Sequence, residues 1–253
     1  MKARSLLLIG DPHAHRGFSN GRFVWLSSYV DDTRPDCVHC TGDLGDMPSL
    51  SRHDRGKLSF EGRRYKADVA ATIEAQDLLT AKFSSRYRPH MSINVGNHEA
   101  RASIFAGDHP ELAGHVSVAD LQLDHYWDEV VPFLEVGDVQ GFATCHYMQQ
   151  GNTSRALGGT NLARQLISKG YQSAIVGHDH RLMHATDVRW DGRRLHGISA
   201  GCFTHPRFVE DWSIQSAKLA WRGVIRLDGA RNGTFDKMTL VTLDELRKAY
   251  GGK

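Results

Sequence analysis

The sequence predicts an α/β domain. Short apolar runs stop at a glycine, segments with helical spacing of apolar residues lie between them, and no Pro/Gly/Ser-rich linker breaks the 253 residues. Taken in order, residues 6–9 (LLLI) read as a buried strand ended by Gly10-Asp11-Pro12. Residues 23–30 fit a helix, and residues 36–41 fit a second strand stopped by Gly42-Asp43. Residues 51–66 are polar and basic. Residues 67–83 carry Val69, Ala70, Ile73, Leu78 and Leu79 at helical spacing. A third strand is expected at 91–95, stopped by Gly96-Asn97, followed by short helical pieces to about residue 127. Residues 133–136 and 141–146 suggest a hairpin around Gly137-Asp138, residues 162–168 a helix, and residues 173–176 a strand ended by Gly177. Asp191-Gly192 is a hairpin signal between 188–190 and 194–196. Late strands are expected at 223–227 and 238–242, and a closing helix at Leu243–Tyr250. Residues 1–253 are read as one domain.

Composition narrows the classes. With 31 Lys+Arg against 29 Asp+Glu, the formal charge is +2, which argues against wholesale coating of nucleic acid and leaves room for a local basic patch. No apolar run approaches the roughly 18 residues that a membrane helix needs. The apolar stretch at the N-terminus is too short for a signal peptide, so a cytoplasmic protein with no membrane role is expected. Four cysteines do not make a disulfide framework in a chain this size. The outlier is histidine, at 15 residues, and imidazole is both a common metal ligand and a proton carrier near neutral pH.

The histidines fall into a pattern. An apolar strand ends in glycine and a ligand-type residue follows at Gly10-Asp11-Pro12-His13, Gly42-Asp43-Leu44-Gly45-Asp46, Gly96-Asn97-His98-Glu99 and Gly177-His178-Asp179-His180. His146 ends another strand without the glycine. Carboxyl ends of strands are where α/β sheets place ligand sites, so these loops are expected to converge on one pocket. If residues 178–180 are extended, His178 and His180 point the same way.

This set, spread over residues 10 to 180, resembles the calcineurin-like metallophosphoesterases, in particular the small stand-alone phosphoesterases of bacteria and phages. The resemblance implies a two-sheet β-sandwich flanked by helices, in a four-layer αββα order, with two divalent metal ions at one edge. One ion would be held by Asp11, His13, Asp43 and His180, the other by Asp43, Asn97, His146 and His178, with Asp43 bridging. Mixed oxygen and nitrogen ligands without thiolate suit Mn, placed first, or Fe, Zn or Ni. The implied reaction is in-line attack of a metal-activated hydroxide on a phosphate ester. His98 would face the substrate and protonate the leaving oxygen, and Asp46 would orient its ring.

Other residues are weighed against plainer roles. His15, Arg155 and His205 are candidates to line the pocket, with Asn97 and His98 also facing substrate. The segment from Arg52 to Lys66 has six basic and two acidic residues, which suits either a phosphate-binding patch or a solvated loop. Cys37 and Cys40, three apart on a strand, face opposite sides and are expected in the core rather than on zinc. Protein phosphatases of this kind carry arginine where this chain has Met47 and Val95, which weighs against a protein phosphatase; Arg101 is the nearest replacement. The basic segment puts a phosphodiesterase acting on a nucleotide or nucleic acid first among the expected activities. A phosphomonoesterase or protein phosphatase, and a non-catalytic metal-binding scaffold, are the alternatives. No obligate protein partner is evident.

Overall fold

In the computed structural model, residues 2–209 and 214–252 are described; residues 1, 210–213 and 253 of the expected domain lie outside them. The first strand, β1 (Arg4–Ile9), pairs in parallel with β2 (Cys37–Cys40), which pairs in parallel with β3 (His90–Asn94), itself parallel to β4 (Glu129–Val131). On the other side β1 meets β10 (Gly223–Ala230) and then β11 (Lys237–Thr242), both pairings antiparallel, giving a six-stranded sheet. A five-stranded sheet runs in the order β5 (Gly137–Val139), β6 (Phe142–Thr144), β7 (Ala174–Val176), β9 (Arg194–Ala200) and β8 (Leu182–Val188). The helices are α1 (Gly21–Thr33), α2 (Tyr65–Thr80), α3 (Asn97–Asp108), α4 (Leu123–Tyr126), α5 (Leu162–Gly170) and α6 (Leu243–Tyr250).

Alternation along β1 explains the layering. Leu6 and Leu8 join Ile225 and Leu227 of the same sheet and Phe142, Ile175 and Ile198 of the other, so they lie in the core between the sheets. Leu7 and Ile9 face the other way, onto Phe23, Leu26 and Val30 of α1 and Leu79 of α2. Because both faces of β1 are covered, its sequence is a continuous apolar run. The outer face of the five-stranded sheet is covered by Leu162 and Leu166 of α5 against Ala174 and Val176. The result is an α/β sandwich of two sheets flanked by helices.

Cys37 and Cys40 fall in different cores, Cys37 between the sheets and Cys40 under the helices, and all four cysteines are free and buried. The expected hairpin around Gly137-Asp138 is displaced. Residues 133–134 form a turn, and the hairpin is β5–β6, turning at Gln140 and Gly141, both with positive φ. Gly137 and Asp138 themselves pair in the ladder, and β4, which the sequence did not suggest, adds an edge strand. The helical pieces expected after Gly96 include a full twelve-residue helix, α3, which starts at Asn97 itself. No helix among the described residues is long and apolar enough to cross a membrane.

Candidate metal centre

The loops after β1, β2, β3, β6 and β7 meet at one edge of the sandwich, the carboxyl ends of parallel strands from both sheets. They are laced by backbone hydrogen bonds: the His13 N–H donates to the Asp43 carbonyl at 2.8 Å, Asp46 to Ala14 at 3.0 Å, and Gly177 to His146 at 2.9 Å. Asp11, His13 and His180 come together, as do Asp43, His146 and His178, and a third group joins His13 to Asp46 and His98. All the residues expected at the site from sequence, apart from Arg155, His15 and His205, lie in these groups or touch them; Asn97 does so through its Oδ1, 2.9 Å from His146 Nε2.

The backbone is strained where it presents ligand-type side chains. His13, Asp43, His178 and His180 have φ of 45°, 49°, 67° and 60°. Non-glycine residues rarely adopt this region, and such strain gathers at functional sites. The extended reading of residues 178–180 is therefore replaced. The segment is a bend with two left-handed residues, and the two imidazoles go to different groups, His180 to Asp11 and His13, His178 to Asp43 and His146. Two glycines are required by close approach. A Cβ on Gly96 would lie 2.1 Å from Asp43 Oδ1, and one on Gly177 would lie 2.1 Å from Asp11 Oδ1.

Hydrogen bonds fix which atoms face the centre. Asp43 Oδ1 accepts the His98 backbone N–H at 2.9 Å, leaving Oδ2 turned inward, 3.2 Å from His146 Nε2 and 3.8 Å from both His13 Nε2 and His98 Nε2. Asp11 accepts from Thr41 Oγ1 at 3.1 Å and from the His178 N–H at 2.5 Å. His146 Nδ1 lies 3.0 Å from the Thr41 carbonyl and donates to it, so Nε2 presents its lone pair to Asp43 Oδ2 and Asn97 Oδ1. His13 Nδ1 donates to Asp46 Oδ1 at 2.9 Å, leaving Nε2 facing His180 Nε2 at 3.1 Å. Lone pairs turned on one another in a buried site repel unless a cation or proton lies among them. The donor set of carboxylate, amide oxygen and imidazole is that of a borderline divalent ion, so the residues fit a metal.

Charge accumulates as this geometry requires. Burial alone would raise Asp43, but the neighbouring His146 and His98 hold its carboxyl well below the usual range. Asp46 is likewise held well below that range, its hydrogen bonds to His13 and His98 outweighing burial. Burial opposes protonation of His146 and His98, yet Asp43 overcomes it and pushes them up to about 10 and about 9. His13, buried and beside the His98 charge, falls to about 4.

Asp46 Oδ1 lies 3.0 Å from His98 Nδ1 and 2.9 Å from His13 Nδ1, so one carboxylate serves both rings. Arg101, one turn along α3 from His98, places Nη2 3.0 Å from His98 Nε2 and donates from Nη1 to the Asp46 carbonyl at 2.8 Å. His13, His98 and Arg101 border a cleft of about 430 Å³ also lined by Asn97, His178 and Arg222. Met47 and Val95, at the positions where arginine is missing, are buried in the core.

Glu99, part of the Gly96-Asn97-His98-Glu99 motif but given no role there, is a residue of the site. Fully buried, it accepts backbone N–H groups from Asp43 at 3.1 Å, Gly45 at 2.8 Å and Gly96 at 2.7 Å, clamping the Asp43 loop to the start of α3. Burial and the Asp43 charge push it up to about 7 against the pull of those donors. Its place three residues after Gly96 is capping-box spacing, a signal the sequence contained. Arg22 carried no signal. Buried in α1, it donates to the Phe203 and Pro12 carbonyls at 2.8 and 2.7 Å and fixes the Asp11 loop from behind. His15 lies at the rim, its Nε2 3.9 Å from Asp46 Oδ2, and His205 stacks on Phe18 at 5.0 Å. Arg155 is exposed; its neighbours Ala156, Leu157 and Gly158 line the cleft.

Fold and site together define an α/β sandwich protein with a candidate metal centre. No family model matches the chain. The Gene 54 protein of Mycobacterium phage D29 is 27% identical over 161 residues, and that of Mycobacterium phage L5 is 26% identical over 159 residues. Each match covers 60% of this chain and 60% of the phage protein, so it spans three-fifths of the relatives' length. Neither name states an activity. Among solved structures, TT1561 of Thermus thermophilus aligns at 12% identity with a TM-score of 0.40, covering 95% of this chain and 99% of that one, and a second solved chain aligns at 12% identity with a TM-score of 0.41 and the same coverage.

Proposed function

We propose that the protein is a dinuclear-metal phosphoesterase of the calcineurin-like type, acting on phosphodiesters of nucleotides or nucleic acid. Two multi-stranded sheets flanked by helices support this reading. The observation that carries it is the arrangement around Asp43: one buried carboxylate oxygen between two groups of imidazoles whose tautomers are set by the Thr41 carbonyl and Asp46. Asp11, His13, Asp43 and His180 would hold one ion; Asp43, Asn97, His146 and His178 would hold the other. When bound, such a pair acidifies a water molecule and neutralises phosphoryl oxygens.

The chain's own groups do the rest. Asp46 holds His98 in one orientation, with Nε2 turned to the cleft. Arg101 Nη2 donates to that nitrogen in the free site; with Arg101 drawn onto the phosphoryl group, His98 carries a proton on Nε2 and delivers it to the leaving oxygen. Arg101 sets a second positive charge beside it, so an anionic phosphoryl group relieves two neighbouring cations at once. Arg101 thus takes the place of the arginines absent at Met47 and Val95. Glu99 keeps the Asp43 and Asn97 loops in register.

The test is hydrolysis of bis-p-nitrophenyl phosphate and p-nitrophenyl phosphate by Mn-loaded protein, with and without chelator. The expected result is chelator-sensitive turnover that favours the diester. Turnover that survives chelation, or none with Mn, Fe, Zn or Ni, removes the reading.

A further inference from the structure

A second cavity of about 170 Å³ opens from the cleft, sharing His53, Asn97 and Arg101 with it. It begins beside a proposed metal ligand and runs along α3 under the basic segment. Its lining joins the apolar Leu50, Ile104 and Phe105 to Arg52, Arg55 and Arg101, and the Phe105 ring packs against His109 at 4.5 Å. Arg52 is paired with Asp108. Among the described residues neither Arg55 nor Arg101 has a carboxylate partner, and the Arg55 guanidinium lies 5.5 Å from the centre of the Phe105 ring. An aromatic ring beside cations not paired with carboxylates is the recognition chemistry for a nucleotide unit, the base taking the place of Arg55 over the ring and the displaced guanidinium meeting its phosphate.

We infer that this cavity is a subsite for the nucleotide next to the scissile phosphate, and that the substrate is a single-stranded polynucleotide. The inference rests on the phosphodiesterase reading of the adjoining centre. A single strand is required because the base must leave any stack to lie on Phe105, whereas a paired base stays in the duplex. The subsite turns the basic segment from a solvated loop into part of the substrate path: Arg55 meets the backbone while Arg101 joins subsite to cleft. The backbone contacts make binding salt-dependent.

The test is fluorescence anisotropy with the full chain, a fluorescein-labelled single-stranded 10-mer DNA and its duplex, in chelator so that no cleavage occurs. The single strand should bind at least about tenfold more tightly than the duplex. Phe105→Leu, which keeps apolar volume in the half-buried position and removes the ring, should weaken single-strand binding about tenfold. Arg55→Gln, at an exposed position, should weaken it severalfold and flatten the salt dependence. Arg194→Gln, at the opposite end of β9 from the site, should change it less than twofold. No binding, preference for the duplex, or equal binding by Phe105→Leu, Arg55→Gln and the parent overturns the inference. Hydrolysis of bis-p-nitrophenyl phosphate by the Mn-loaded parent separates the two claims. If it occurs while the binding variants show no effect, only the subsite fails; if it is absent, the phosphodiesterase reading fails.

Discussion

Two sets of histidines lie in this molecule, and their company differs. At the strand ends, five imidazoles share three carboxylates, Asp11, Asp43 and Asp46. Elsewhere, His39 is buried in β2 against Ser92 Oγ at 2.9 Å, and His184 and His196 stack on the second sheet with nitrogens 3.2 Å apart. No carboxylate faces either of these among the described residues. The consequence is visible in proton affinity. Asp43 raises His146 and His98 to about 10 and about 9, and in the same site burial and those two charges lower His178 and His13 to about 4, whereas burial is the main cause that lowers His39 and His196 to about 4. Burial alone makes a neutral, inert ring. Burial beside a carboxylate makes a ring that holds positive charge or shares a cation. The composition counted both sets alike.

Substitution separates the sets. His98→Ala should lower kcat by about 10²- to 10⁴-fold while metal content stays near that of the parent, because His98 moves a proton and holds no ion in the proposed scheme. Turnover of a diester with a poor leaving group at the parental rate would contradict that role. His39 sits at the other extreme, far below the ordinary imidazole value, and its effect is on stability alone. Its folded-state value is lowered, so between pH 6.5 and about 4 the unfolded chain takes up the proton first. The contribution of neutral His39 is present above pH 6.5 and is lost as pH falls, by about 3 kcal/mol once pH reaches 4. Urea unfolding from pH 7 to 4 should therefore show a shallower loss of stability in His39→Gln than in the parent. Equal slopes would mean that His39 titrates normally.

Much of this was legible. β1, β2, β3 and β7 were visible as apolar runs ending in glycine, because a strand covered on both faces has no polar alternation to blur it and the turn after it needs a residue without a side chain. Asp11, His13, Asp43, Asn97, His178 and His180 were visible for the same reason, each in a loop after such a glycine, and His146 as the end of a strand without one. What stayed hidden depends on contacts between distant segments. The bend at residues 178–180 is imposed by Asp11 and the His146 loop and not by local preference. The β5–β6 turn falls at Gln140-Gly141, where Gly141 lies against Gly233, nearly a hundred residues away, rather than at the stronger local signal Gly137-Asp138. Arg22 acts through carbonyls that only the folded chain brings near it.

The central claim is that Asp43 joins two ligand groups into one dinuclear centre. Metal content per chain after loading with Mn and dialysis, measured by inductively coupled plasma mass spectrometry on the parent and on Asp43→Asn, tests it most directly. The account predicts close to two ions in the parent and fewer than one in the variant. One ion or none in the parent, or two retained in Asp43→Asn, would contradict it.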